Sequence, residues 1–350
     1  MNSAMAAALA AAVAMVSFLA AAEQTAGTPA ATSGQATPTA VEDGHPAPDT
    51  PRDVTTATRL DSLLRSRLEA PGQVLFEDDF ERVGTAPSAA TPAESRPAPS
   101  STDTPVAAAA TGANPLARYF EVRGARSGLA RIVTDRGLAH GGQGTLQLTS
   151  HAAGGGAGAG VSAWLPAAQQ TLHLRYYLKY AEDYDAGPRN HTGGSLAGIA
   201  GVNRWLGMGA AGRRPRGDDY FLASLETGMR GAAAQPGGSQ VYAYWPGMRA
   251  DGRGNFWGNI LAPTPRRAAQ PGRWTSHELM VRANTPGVAD GELAVWIDGS
   301  LYLHVVDIRW RDSPAVLLRR FSLDIYVHDA RRENRVWYDD VIVSTGYVGP

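Results

Sequence analysis

Cysteine is absent, which excludes disulfides, thiolate catalysis and cysteine-ligated zinc or iron–sulfur centres. Lysine is nearly absent: Lys179 is the only one, and arginine supplies the rest of the 32 cationic side chains. Charged residues are only 19% of the chain, and a net charge of −1 gives no field to draw nucleic acid or an anionic membrane surface. Aromatic residues are few, at 8%, and long helical periods are missing. Turn residues are abundant instead: 40 glycines and 23 prolines in 350 residues suit short strands between turns.

The first third has too few large apolar residues to bury a core. Residues 5–22 are apolar and alanine-rich, and Ala20-Ala21-Ala22 precedes Glu23 as a small-residue cleavage pattern, although the first arginine is Arg52. This reads as a signal peptide over 1–22, with a retained membrane anchor as the rival; so many alanines make a weak spanning helix. It predicts a secreted, cell-surface or periplasmic protein. Residues 23–57 lack any hydrophobic period and read as a disordered linker. In 58–82 a short helix, with Leu60, Leu63, Leu64 and Leu68 on one face, leads into a first strand, QVLFEDDFER. Residues 83–113 are a low-complexity insertion, which a surface loop tolerates because closure entropy grows slowly with length.

From 114 to 350 short apolar and aromatic runs recur between Gly, Pro, Asn and Asp. They predict strands at 119–122, 130–134, 145–149, 160–164, 171–180, 219–225, 240–244, 276–282, 292–297, 301–306, 321–327 and 336–343. That density implies an all-β domain of two packed antiparallel sheets. Asp298-Gly299 between two of these runs supplies the positive φ of a tight hairpin.

Strand alternation separates two faces. Leu174, Tyr176, Leu178 and Tyr180 oppose His173, Arg175, Tyr177 and Lys179. Val241 and Ala243 oppose Tyr242 and Tyr244, and Phe321, Leu323, Ile325 and Val327 oppose Ser322, Asp324, Tyr326 and His328. The strand at 276–282 sets His277, Leu279 and Val281 against Glu278, Met280 and Arg282. The non-core faces mix tyrosine with Arg, Glu and His. If they line one trough, they suit a saccharide, whose C–H face packs on aromatic rings and whose hydroxyls and carboxylates bond the charged groups. Such residues are also ordinary favourable strand residues.

Several stretches resemble secreted bacterial polysaccharide-lyase-like proteins of the concanavalin-like jelly-roll class, which includes the alginate, glucuronan and heparin lyase I types. They are LFEDDFER, LRYYLKYAEDYD, GSLAGIAGVNRWLGMGAAGRRPRGDDYF, VYAYWPGM, PGRWTSHELMVRANTPGVADGELAVWIDG and VWYDDVIVSTGYVGP. The resemblance implies a jelly roll with its cleft on a concave sheet, and β-elimination of an acidic polysaccharide. A cation or amide would neutralise the uronate carboxylate, and a Tyr, His or Lys would take the C5 proton. One departure is plain: a lysine-containing K-x-G-G element is replaced by Asn190-His191-Thr192-Gly193-Gly194, which puts His191 in its place.

On this reading His191, Tyr242, Tyr326 and His328 are the candidate bases and acids. Arg175, Tyr177, Lys179, Asn190, Arg230, Tyr244, Glu278 and Arg282 are candidate substrate contacts. An unperturbed tyrosine is protonated at neutral pH, so a tyrosine base would need neighbouring cations. Two other classes remain open. One is a non-catalytic carbohydrate-binding or cell-surface module. The other is a jelly-roll glycoside hydrolase, for which Glu226 and Glu278 would have to face each other. No cofactor is required. Asp78-Asp79 and Asp339-Asp340 could supply oxygens to a structural calcium, or be simple edge-strand charge. The expected partner is an acidic polysaccharide bound by a monomer, with no nucleic acid and no membrane beyond the signal segment.

Overall fold

The computed structural model describes residues 50–81, 115–152, 158–187, 189–228, 237–328 and 330–350. The signal segment, most of the linker, the 83–113 insertion and Arg230 lie outside the described residues. Two antiparallel sheets pack face to face as a jelly-roll sandwich. The nine-stranded sheet runs β1 (Arg52–Asp53), β14 (Ser300–Ile308), β13 (Gly291–Ile297), β12 (Thr275–Arg282), β7 (Thr171–Tyr180), β16 (Asn334–Ser344), β5 (Gly144–Ser150) and β4 (Ala130–Thr134), with β2 (Val74–Asp78) also on β16. The seven-stranded sheet runs β11 (Asn259–Leu261), β10 (Ser239–Tyr244), β9 (Tyr220–Thr227), β8 (Arg189–Ala200), β15 (Val316–His328), β6 (Ala159–Gln169) and β3 (Glu121–Arg123).

The inward faces follow the alternation of the sequence. Leu174, Tyr176 and Leu178 of β7 and Leu279 and Val281 of β12 share one core with Leu196 of β8, Leu225 of β9 and Phe321, Leu323 and Ile325 of β15. Tyr176 ties the layers together: its hydroxyl donates to the Leu225 carbonyl (3.2 Å) and accepts from the Gly194 amide (2.9 Å). Tyr176→Phe would leave that buried N–H unpaired, so a loss of about 1–3 kcal/mol is expected in urea unfolding. The β13–β14 hairpin turns through Asp298 (φ 49) and Gly299 (φ 71), as the Asp-Gly pair demands.

The predicted helix is two. Helix α1 (Thr55–Leu60) stops at Asp61, which is extended and caps α2 (Ser62–Leu68) by accepting from the Leu63 and Leu64 amides. The break undoes the expected leucine face: Leu60 and Leu63 are 84% and 82% exposed. What seats this segment is Leu68 on Met280 and Trp296, the Thr58 hydroxyl on His304 Nδ1 (2.7 Å) and Arg59 on the Leu301 carbonyl. Together α1 and α2 cover part of the outer face of the nine-stranded sheet.

Candidate functional site

Each sheet of a sandwich has its own outward face, and the predicted groove residues divide between the two. His191 (β8), Tyr242 and Tyr244 (β10), and Tyr326 and His328 (β15) all point outward from the seven-stranded sheet. The His191 ring lies 5.1 Å from Tyr242, 6.4 Å from Tyr326 and 5.9 Å from His328, and Tyr326 and His328 are 4.4 Å apart. Tyr242 and Tyr244 share a hydroxyl contact of 3.1 Å.

Arg175, Tyr177, Lys179, Glu278 and Arg282 belong to β7 and β12 and face away on the opposite side of the molecule. There they have structural partners. Arg175 donates to the Asp340 carbonyl (3.0 Å), and Tyr177 stacks on His140 at 3.6 Å. Lys179 donates to the Leu138 carbonyl (2.8 Å) with its ammonium over Trp274 and Trp337. Glu278 accepts from His173 and from the Val348 and Gly349 amides, holding the C-terminal segment, and Arg282 pairs with Glu292 at 3.0 Å. Asn190 points inward: its side-chain carbonyl accepts from the Tyr184 and Thr192 hydroxyls. Alternation along a strand gives the face but not the sheet, which is why one trough was expected and two faces are found. Glu226 and Glu278 likewise lie on opposite sides, so they form no hydrolase carboxyl pair.

The acidic pairs have hydrogen-bond partners within the chain. Asp78 and Asp79 accept from the Phe80 and Glu81 amides, Asp339 from those of Asp340 and His140, and Asp340 from His140 Nδ1 at 2.6 Å. Burial, with Asp340 and Glu81 nearby, pushes the Asp339 carboxyl up to about 7. Among the described residues no group of three or more His, Asp or Glu is placed to hold a metal ion. The second pair instead marks a bulge where β16 changes neighbours from β5 to β2, with Asp340 at φ 46.

On the seven-stranded sheet, a side-chain chain converges on His191. Arg266 donates to Gln240 Oε1 (2.6 Å), Gln240 Nε2 to Glu226 Oε1 (3.4 Å), and Glu226 Oε2 lies 3.2 Å from His191 Nδ1. Glu226 is buried, whereas the His191 side chain keeps 21% of its surface open. With Nδ1–H donating to the carboxylate, Nε2 carries the lone pair. Burial, then the neighbouring Tyr244, raises the Tyr242 pKa far above the usual phenol value, which keeps its hydroxyl protonated. The loop backbone at Gly258 lies so close over the Tyr242 ring that any side chain there would strike it.

Strand register extends the site sideways. One row reads Gln240, Glu226, Gly193, Asp324, Gly160 and Arg123 across β10, β9, β8, β15, β6 and β3, with Arg123 bonded to Asp324 at 2.6 Å. The next reads Tyr242, Ser224, Ser195, Ser322, Ser162 and Glu121. Four serines and two glycines thus floor a strip running across the strands.

No protein-family model and no curated protein matches the sequence. Solved structures do. The marine alginate lyase of Aplysia kurodai superposes with a TM-score of 0.50 at 16% identity, covering 66% of this chain and 91% of that one. The fold is a jelly roll like that of this lyase. An alginate lyase from Chlorella virus (TM-score 0.48, 16% identity, 62% of this chain and 88% of that one) is also similar. So is the endo-β-1,4-glucuronan lyase of Trichoderma reesei (0.47, 17%, 66% and 92%). Among the described residues no helix is long and apolar enough to cross a membrane.

Proposed function

We propose that this is an exported carbohydrate-active protein that lays an acidic polysaccharide across the outer face of the seven-stranded sheet and cleaves it by β-elimination. The observation that carries the reading is the buried Glu226 bonded to a half-buried His191, with Tyr242 and Tyr326 on either side of the imidazole. His191 Nε2 takes the proton from C5 of the uronate. The C–H electron pair becomes the C4–C5 double bond, and the C4–O bond breaks with its electrons on the leaving oxygen. Tyr242, kept protonated by burial, gives that oxygen a proton. Tyr326 and His328, whose rings neighbour the imidazole, would be the donors that hold the charge developing on the carboxylate. Polysaccharide substrates of the structurally similar lyases, alginate and glucuronan, fit this chemistry, and the signal-like segment at 5–22 supports export.

The test is to incubate the full chain with alginate, glucuronan and heparin-like polymers and follow ultraviolet absorption of the unsaturated product ends. One polymer is expected to give a rising signal. Tight binding with no double bond formed on any of them would sink elimination and leave a binding module.

A further inference from the structure

The groove floor continues past the reacting cluster to an aromatic residue with no assigned role. Trp205, on the loop after β8, is 42% exposed. Its ring meets the edge of Phe120 at 5.0 Å, and the Phe120 amide donates to the Ser162 carbonyl at the end of the serine row. The loop is held down by Arg320, which shares the outward face of β15 with Ser322. Its guanidinium donates to the carbonyls on both sides of Trp205, those of Arg204 (2.8 Å) and Leu206 (2.9 Å). Arg320 is itself buried. An exposed indole fixed this way is a platform, not a mobile surface side chain.

The serine row has a direction. Ser162 Oγ donates to Glu121 Oε2 (2.9 Å) and contacts Ser322 Oγ at 3.0 Å. A hydroxyl has one proton, so with Ser162 committed to the carboxylate, Ser322 donates to Ser162. At Ser322, 7% exposed against 2% for Ser162, it is therefore an oxygen lone pair that a ligand above the strip would meet. Lone pairs accept from a sugar hydroxyl and repel a carboxylate.

We infer that Trp205 and the Ser162–Ser322 pair form a distal subsite of the same groove. It binds one further pyranose unit by its C–H face and its hydroxyls, and thereby selects longer chains. This rests on the groove reading above and adds a length requirement to it. Adjacent strands are about 4.8 Å apart, and Ser322 and Ser162 lie one and two strands from β8, which carries His191.

The experiment measures KM and kcat of the full chain on uronate oligosaccharides graded from short to long, for wild type, Trp205→Ala and Trp205→Phe. In wild type KM falls with length. Trp205→Ala is expected to raise KM for the long chains about tenfold while leaving the shortest unchanged, the loss typical of truncating an aromatic anchor. Trp205→Phe recovers part of it. A wild type whose KM falls with length and a Trp205→Ala variant that keeps the same dependence would overturn the distal subsite while sparing the groove. A wild type that neither binds nor cleaves any uronate chain overturns the groove reading and the subsite with it. Thermal melting of the variants guards against misfolding, which would shift short and long chains alike.

Discussion

On the proposed mechanism His191→Ala is expected to lower kcat for elimination by about 10²–10⁴-fold with KM little changed, the range for removing a positioned base. The reason is positional. Among the described residues the imidazole sits between a buried carboxylate and two tyrosines on an open face, and Nδ1 is already bonded to Glu226. The proton-accepting nitrogen is therefore the one turned from the carboxylate. Glu226→Gln should cost less, because it keeps the shape but not the charge. Its signature is a pH–rate profile whose acid limb moves to lower pH, since a carboxylate beside an imidazole favours the protonated, inactive form. Arg266→Ala acts one link further out, through the Gln240 amide that it orients. It should lower kcat modestly without moving KM. Steady-state assays across pH on whichever polymer is cleaved decide all three. If His191→Ala retains full kcat, the base lies elsewhere and the mechanism falls.

The core of this fold was legible because β7, β10, β12 and β15 alternate cleanly, and a period of two needs no long-range information. The hairpin at Asp298-Gly299 was legible for a similar reason, since its conformation is local. Strand β8 was not. Its Gly-Gly-Ser-Leu-Ala-Gly run shows no alternation, because the space beside Gly194 is filled by the Tyr176 ring and that beside Gly198 by Phe221. The helix break at Asp61 followed from capping chemistry that the leucine period concealed. The site was half legible. His191, Tyr242, Tyr244, Tyr326 and His328 converge, while Arg175, Tyr177, Lys179, Glu278 and Arg282 lie on the far sheet. Deciding between the sheets needs strand order, which neighbouring residues do not encode. Gln240, Arg266, Arg123 and the serine row went unnoticed. Of the four serines the alternation had set only Ser322 on a non-core face, and a row exists only once the register of β9, β8, β15 and β6 is known.

The face opposite the groove is closed by structure: α2 on Trp296, the C-terminal segment on Glu278, and the loop carrying His140 on Tyr177. The two outward faces share a core and so differ in what covers them. A saccharide would meet the other face, where His191, Tyr242 and Tyr326 are half-buried and Trp205 is exposed. Substitutions at Arg175 or Glu278 should therefore act on stability and leave saccharide binding by the folded protein intact.

His277 makes the sandwich acid-labile. Although read as core-facing, it brings an ionisable ring between the layers: it is 4% exposed, stacks on Tyr176 at 5.4 Å, and donates from Nδ1 to the Thr275 carbonyl. Burial drives its pKa down from 6.5 to about 4, and the opposing charges of Asp298 and Arg267 do little to restore it. Between these values the unfolded chain binds a proton that the folded one refuses. Stability from this group is thus complete above pH 6.5 and drains away as pH falls toward 4. A shift of this size corresponds to about 3 kcal/mol. Carboxylates titrate in the same range, so the informative quantity is the difference between wild type and His277→Leu in urea unfolding at pH 7 and pH 4. Leucine loses one hydrogen bond at both values but cannot take up a proton. The variant should therefore gain about 3 kcal/mol on wild type between pH 7 and pH 4. A difference that stays constant would place the acid-sensitive group elsewhere in the fold.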